Sequence, residues 1–198
     1  MDARQIKSRK KIEQALAKLL ETKSLDELSI EEIALKAGVS RPTFYRNYAG
    51  RQAILDEAIE KWQDELDIKI EQVSQYKMEP SVNLLAGYFR IVFDSIDPEN
   101  HLLHLAIRGH AGSKTKLLLQ ERGRKRAMSL LKESYGHSLG DNDMQFIATF
   151  TTAALDGVLQ NVLQKDNPWD IETTSFNVAQ LIHLGVDNFK PFQTNDND

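Results

Sequence analysis

The stretch from Leu28 to Gly50, LSIEEIALKAGVSRPTFYRNYAG, constrains the fold more than any other part of the chain. Ser29 with Glu32 three positions on is a capping box, so a helix starts here with its first orphan N–H groups satisfied. Gly38 stands where that helix ends, in a position that tolerates positive φ. Only two positions later Ser40 can cap another helix, with Pro42 in a first turn where its missing N–H costs nothing. Val39 and Phe44 have the spacing of a hydrophobic staple, and Ala49-Gly50 stops this second helix early. Two helices joined by so short a turn carrying Gly form a helix-turn-helix.

Helical spacing continues on both sides. From Ser8 to Glu21, Ile12, Leu16, Leu19 and Leu20 make one apolar stripe. From about Gly50 to Val73 the pattern Leu55, Ala58, Ile59, Trp62, Leu66, Ile70 and Val73 predicts a helix long enough, at about 1.5 Å per residue, to leave the head and enter a body. Further helices are predicted over Ser81–Ile96, Pro98–Arg108, Ser113–Tyr135, Asp141–Lys165 and Ile171–Phe189, ahead of a polar tail. No period-2 strand pattern occurs. The expected fold is all-α: a three-helix helix-turn-helix domain over residues 1–50, joined by a long fourth helix to a helical domain over residues 51–198.

Charge divides the chain in the same place. Residues 1–51 hold 11 Lys and Arg against 7 Asp and Glu, and the remainder holds 14 against 22. A basic head on an acidic body points to a polyanion met by the head alone. On the second short helix Val39, Phe44 and Tyr48 share an inward face, which leaves Arg41, Pro42, Thr43, Tyr45, Arg46 and Asn47 on the others. Arg bonds guanine edges bidentately, while Pro and the Thr methyl can touch thymine methyls. Tyr and Asn can donate to phosphates, which sets register without reading sequence. Arg51 and Ser29 can add phosphate contacts from neighbouring helix starts, and Ser40 is a further DNA-binding candidate. Arg4, Lys7, Arg9, Lys10 and Lys11 read either as an arm on phosphates or the minor groove, or as simple solvation.

Other chemistries find little support. Without cysteine there is no disulfide framework or thiolate metal site. His101, His104 and His110 lie near Asp97 and Glu99, but no E-x-x-H partner accompanies them, so no metal is expected. No G-x-S-x-G motif or phosphate-cradling Gly loop appears, so neither an enzyme, a catalytic residue nor a cofactor is expected. No apolar run approaches the roughly 18 residues of a membrane span, and no signal peptide is evident. A cytoplasmic protein is the expectation. The run Arg122 to Ala127, RGRKRA, reads as the wet face of a long helix.

Residues 9–55, above all IEEIALKAGVSRPTFYRNYAGRQAIL, resemble the DNA-binding domain of the TetR family of transcriptional regulators. The family's motif falls on Gly38, Val39, Ser40, Thr43, Phe44 and Tyr45, and its basic residue opening the fourth helix on Arg51. Tyr48 stands where Phe is usual, Asn47 where His is more frequent, and Arg51 where Lys is usual. The resemblance implies a dimeric repressor, released from a palindromic double-stranded DNA operator by a small-molecule effector. It implies that the last two long helices pair with their twins. That suits their two-sided apolar pattern, which includes Phe150, Leu155, Val158, Leu159, Val162, Val178, Leu181, Ile182, Gly185 and Phe189. An effector cavity is expected among the body helices, with Trp62, Tyr88, Phe89, Phe93, His104, Arg108 and Phe150 as candidate lining. The alternatives are a DNA-binding protein of this fold whose body holds a protein partner, and, further off, an all-α enzyme.

Overall fold

The computed structural model describes residues 2–74, 81–96, 100–164 and 166–190. Among these are nine α-helices and one short 3-10 turn, with no strand. The head is α1 (Ala3–Leu20), α2 (Ile30–Ala37) and α3 (Arg41–Asn47), and α4 (Arg51–Ser74) leads out of it. The body adds α5 (Val82–Asp94), α6 (His101–Ile107), α7 (Ser113–Tyr135), α8 (Asp141–Val162) and α9 (Ile171–Asp187). The expected helix start at Pro98, the carboxylates Asp97 and Glu99, the expected end of α8 at Lys165 and the polar tail from residue 191 lie outside the described residues.

Local chemistry accounts for the head. Ser29 accepts from the Glu32 backbone N–H at 3.1 Å, while Glu32 receives the Ser29 N–H at 2.9 Å. Gly38 closes α2 at φ 64°, ψ 40°, a conformation that costs a side-chain-bearing residue but not glycine. Ser40 caps α3 through the Thr43 N–H at 3.3 Å. A second capping box, Ser24 with Glu27, starts the 3-10 turn Leu25–Glu27, which the helical stripes did not foretell because no apolar run follows it.

One correction concerns the amino-terminal cations. Asp2 caps α1 from the Arg4 N–H at 3.4 Å, so the helix begins well before Ser8 and the basic residues ride on it rather than on an extended arm. The propensity of Arg, Gln and Lys carries the helix through a turn that shows no apolar stripe.

Head and body share one core. Ile12, Leu16 and Leu20 of α1 meet Ile33, Phe44, Ile54 and Leu55, and the same cluster continues into Leu103 and Ala106 of α6. Phe44 is fully enclosed, a burial worth about 1.5–3 kcal/mol. Further out, α5 packs on α9 and α7 on α8, with a second cluster of Leu131, Met144, Ile147, Ala148 and Val186. Gly123 permits the α7–α8 approach: a Cβ there would stand 3.0 Å from the Thr152 methyl.

Candidate nucleic-acid interface and body cavity

Arg41, Pro42, Tyr45 and Arg46 are exposed together on α3, with Thr43 half-buried beside them. The Tyr45 ring stands edge-on to Phe44 at 5.8 Å, which keeps it extended from the head. Thr43 is the hub of a small polar network: its hydroxyl lies 2.9 Å from the Ser40 hydroxyl and receives Arg46 Nη2 at 3.0 Å. Arg41 Nη1 pairs with Glu31 Oε1 at 2.6 Å across the turn. Both side chains of that pair are more than half exposed, so it holds Arg41 weakly and yields it readily to a stronger anion.

Three expected contact residues are otherwise engaged. Asn47 is 9% exposed, and its Nδ2 donates to the Thr43 carbonyl at 2.7 Å. The last turn of α3 thus rotates it inward, leaving Oδ1 buried without a hydrogen-bond partner. The Ser29 hydroxyl is bound to Glu32 at 3.0 Å within the capping box. Arg51 Nη1 donates to the Leu28 carbonyl at 2.6 Å, and Nη2 lies 3.5 Å from Asp26. Arg51 ties α4 to the start of α2 while remaining partly open to the surface.

Sequence reasoning left one feature unplaced. A cleft of about 430 Å³ separates α1 from the start of α3, with Arg4, Lys7 and Lys11 on one wall and Ser40 and Thr43 on the other. These cations recur at three- and four-residue spacing, and that period was the available signal once a helix is recognised there. Arg9 is different. Its Nη1 donates to the Asn47 carbonyl at 2.9 Å, its guanidinium stacks 4.2 Å from the Tyr48 ring centroid, and it pairs with Glu57. Tyr48 is buried and donates to Glu13 at 2.6 Å, and its burial, with that bond, pushes the phenol well above its usual range.

The body holds a half-open cavity of about 580 Å³ between α4, α5, α6, α7, α8 and α9. Of the seven candidate lining residues, Trp62, Tyr88 and Phe89 face it. Phe93 does not, because it is buried in the core shared with the head; His104 is half-buried on α6, and Arg108 is exposed beyond the end of that helix. Phe150 lies on the outer surface, 64% exposed. Polar groups that do line the cavity include Gln63, Gln120, Arg126, Asp156 and His183. Arg126 also belongs to a ladder that the reading of RGRKRA as a wet face missed. It pairs with Asp67 and Gln63 of α4, while Arg122 reaches Asp64 at 3.0 Å. Among the described residues no cluster of three metal-ligating side chains occurs, and no helix is long and apolar enough to cross a membrane.

The outward apolar surface of the last two helices holds only part of the expected set. Leu159 and Val178 are buried within the protomer, and Leu155, Leu159 and Ile182 line the cavity. Phe150, Leu181 and Gly185 of the expected set are exposed, and so are Phe146, Gly157 and Leu184, which that set did not include. A helix that is apolar on two sides hides from sequence which side its own protomer takes.

Residues 12–58 match the model of the bacterial regulatory proteins of the tetR family. The head of the chain is similar to the tetR-family DNA-binding domain over those 47 residues. A stretch of 38 residues is 47% identical to the HTH-type transcriptional regulator EthR of Mycolicibacterium smegmatis, covering 19% of this chain and 18% of that protein. The chain thus spans under a fifth of this curated relative, and only the head is matched in sequence. Solved structures resemble the whole fold. NalD, the secondary repressor of the MexAB-OprM multidrug efflux pump in Pseudomonas aeruginosa, aligns with a TM-score of 0.67 at 14% identity, over 93% of this chain and 98% of its own. The fatty acid degradation regulator FadR from Bacillus halodurans aligns at 0.62 and 18% identity, over 90% and 96%. The matched model and the EthR relative are those of transcriptional regulators.

Proposed function

We propose that this chain is a regulator of the TetR type: a dimeric, cytoplasmic repressor, released from a palindromic operator when a small molecule fills the body cavity. The observation that carries this reading is the course of α4. It opens with Arg51 beside the α2–α3 unit and then walls the cavity with Trp62, Gln63, Leu66 and Ile70. A ligand that favours one position of this helix shifts the population of head positions, and by linkage DNA disfavours that ligand. Residues 1–50 are the DNA-reading unit and residues 51–198 the effector and dimer unit. Arg41, Pro42, Thr43, Tyr45 and Arg46 enter the major groove, while Ser40 and Arg51 sit against phosphates.

Dimerisation goes through the exposed face of α8 and α9, centred on Phe150, Leu181 and Gly185. One short α3 reads few base pairs, and two-fold symmetry supplies a second half-site about one helical turn away or a multiple of it. The alternative of a protein-binding body is less well supported, since the body holds a cavity of about 580 Å³. The test is operator binding by fluorescence anisotropy across a small-molecule library, with melting temperature recorded in parallel. The expected effector raises melting temperature and weakens operator binding. Absence of any such compound returns the body to the protein-partner reading.

A further inference from the structure

Most polar groups along the body cavity are already engaged within the protein. The Tyr135 hydroxyl donates to Asp187 at 2.7 Å, and the Thr151 and Thr152 hydroxyls bond carbonyls of their own helix. Gln63 holds Arg126, and Gln120 donates to Asp156 at 3.3 Å. Tyr88 is different. It is 8% exposed and lines the cavity from α5, yet among the described residues its hydroxyl has no hydrogen-bond partner. Ser134 shares that lack but is only half-buried. The Tyr88 oxygen is not sealed off as Asn47 Oδ1 is, so a molecule in the cavity can reach it.

Such a hydroxyl sets a condition on whatever fills the cavity. A ligand that covers it without offering a partner leaves a desolvated, unmatched polar group, which is unfavourable. One that offers an acceptor turns the same group into a contact. The phenol keeps its proton at neutral pH, because burial, and after it the Glu133 carboxylate, raise it above its ordinary value. It therefore presents an O–H. Glu133 lines the cavity too, so an acceptor that is itself an anion meets a like charge beside that O–H. The neighbouring walls on α5, Leu84, Leu85 and Phe89, suit an apolar remainder.

We propose that Tyr88 is the polar anchor of the effector site, donating to a carbonyl or ether oxygen of an uncharged, otherwise apolar molecule. This rests on the effector reading above and names the ligand class.

The test uses the full chain, wild type and Tyr88→Phe, with two dyes. Prodan is a neutral naphthyl ketone whose emission moves to longer wavelength when its carbonyl accepts a hydrogen bond. Diphenylhexatriene is a hydrocarbon with no acceptor. Tyr88→Phe is expected to weaken Prodan by about three- to tenfold and to shift its bound emission to shorter wavelength. Diphenylhexatriene should bind the variant no more weakly than the wild type. Melting temperature should not fall, because the protein loses no bond of its own; a fall would assign the hydroxyl to the fold instead. In competition, methyl 2-naphthoate should displace Prodan better than the 2-naphthoate anion, and Glu133→Gln should narrow that difference.

Equal Prodan affinity in both proteins, equal loss of both dyes, or entry of diphenylhexatriene alone overturns the anchor. A preference for ester over anion that Glu133→Gln leaves unchanged overturns the part given to Glu133. Any library compound that weakens operator binding is compared on the same two proteins. If both hold it equally, the anchor falls while the effector reading survives. If neither dye binds and no library member alters melting or operator binding, the effector reading itself fails.

Discussion

Head and body are built on opposite terms. In the head, short polar residues fix each helix end within three positions, and Phe44 and Ile33 are fully enclosed between them. In the body, α8 and α9 divide their apolar surface between their own core, the wall of a cavity and an open face. The first arrangement leaves little freedom, which suits the proposed role of holding Arg41 and Arg46 in one register against base edges. The second leaves unfilled volume and an uncovered surface, and both are places where a further molecule changes the free energy. In the proposed reading, rigidity where sequence is read and slack where a signal enters distinguishes the two.

The comparison breaks most visibly at core positions. Phe44→Ala is expected to destabilise the chain by about 3–5 kcal/mol, since the head has no space into which the truncated site can relax. Leu84→Ala, on the cavity wall, is expected to cost about 1 kcal/mol, the ordinary cost of a substitution, because the void is already there. Urea unfolding of both variants checks the pair. Equal losses would mean that the cavity wall is as tightly packed as the head. At the open face, Leu181→Asp alters a side chain that is 77% exposed in the protomer and should change monomer stability by less than about 0.5 kcal/mol. The same variant should give a monomer by light scattering and lose about 100-fold or more in operator affinity, as the linked second head is lost.

These two regions were not equally legible in the sequence. The pairs Ser29–Glu32 and Ser40–Thr43 are local, so the head's helix ends follow from spacing alone. The body's helices followed too, from apolar period. Their neighbours did not. Phe89 and Phe93 are one turn apart on α5, yet Phe89 walls the cavity and Phe93 joins the core next to the head. Only the crossing of α5 over other helices separates them. Phe150 and Leu155 present the same difficulty on α8, where the open face and the cavity face are both apolar. Inside the head, Asn47 was illegible for a smaller reason: α3 ends at it, and the final turn carries its amide back to the Thr43 carbonyl.

Within the head, two arginines separate reading from holding. Arg41→Ala is expected to relax preference at one base position per half-site, by about 1–3 kcal/mol, because only a weak surface pair with Glu31 competes for it. Arg51→Ala is expected to weaken all sequences alike and reduce the salt slope by roughly one charge per head. It should also lower stability by about 1 kcal/mol, as the Leu28 carbonyl loses its donor. Binding to a randomised operator library at several salt concentrations, with urea unfolding alongside, decides between these roles. Uniform loss by both variants would move base reading to Pro42, Thr43 and Arg46.

The smallest expected effect tests whether the head's caps act through charge. The Glu32 carboxyl lies at about 2 instead of its ordinary 4.5, held charged first by the Lys23 ammonium at 2.7 Å and then by the Ser29 N–H and hydroxyl. A depressed folded value means that the unfolded chain takes up the proton first as pH falls. The stabilisation is therefore complete above about 4.5, declines between about 4.5 and about 2, and is gone below that. Glu32→Gln keeps a side chain able to reach the Ser29 N–H but removes the charge. The two proteins should differ in urea midpoint at neutral pH, and the gap should close as pH falls through that window. Because Glu32 and Lys23 are both open to solvent, added salt should narrow the gap at neutral pH as well. A gap that persists at pH 2 in high salt would place the contribution of Glu32 in shape and hydrogen bonding, and the head's helix ends would then owe nothing to charge at this cap.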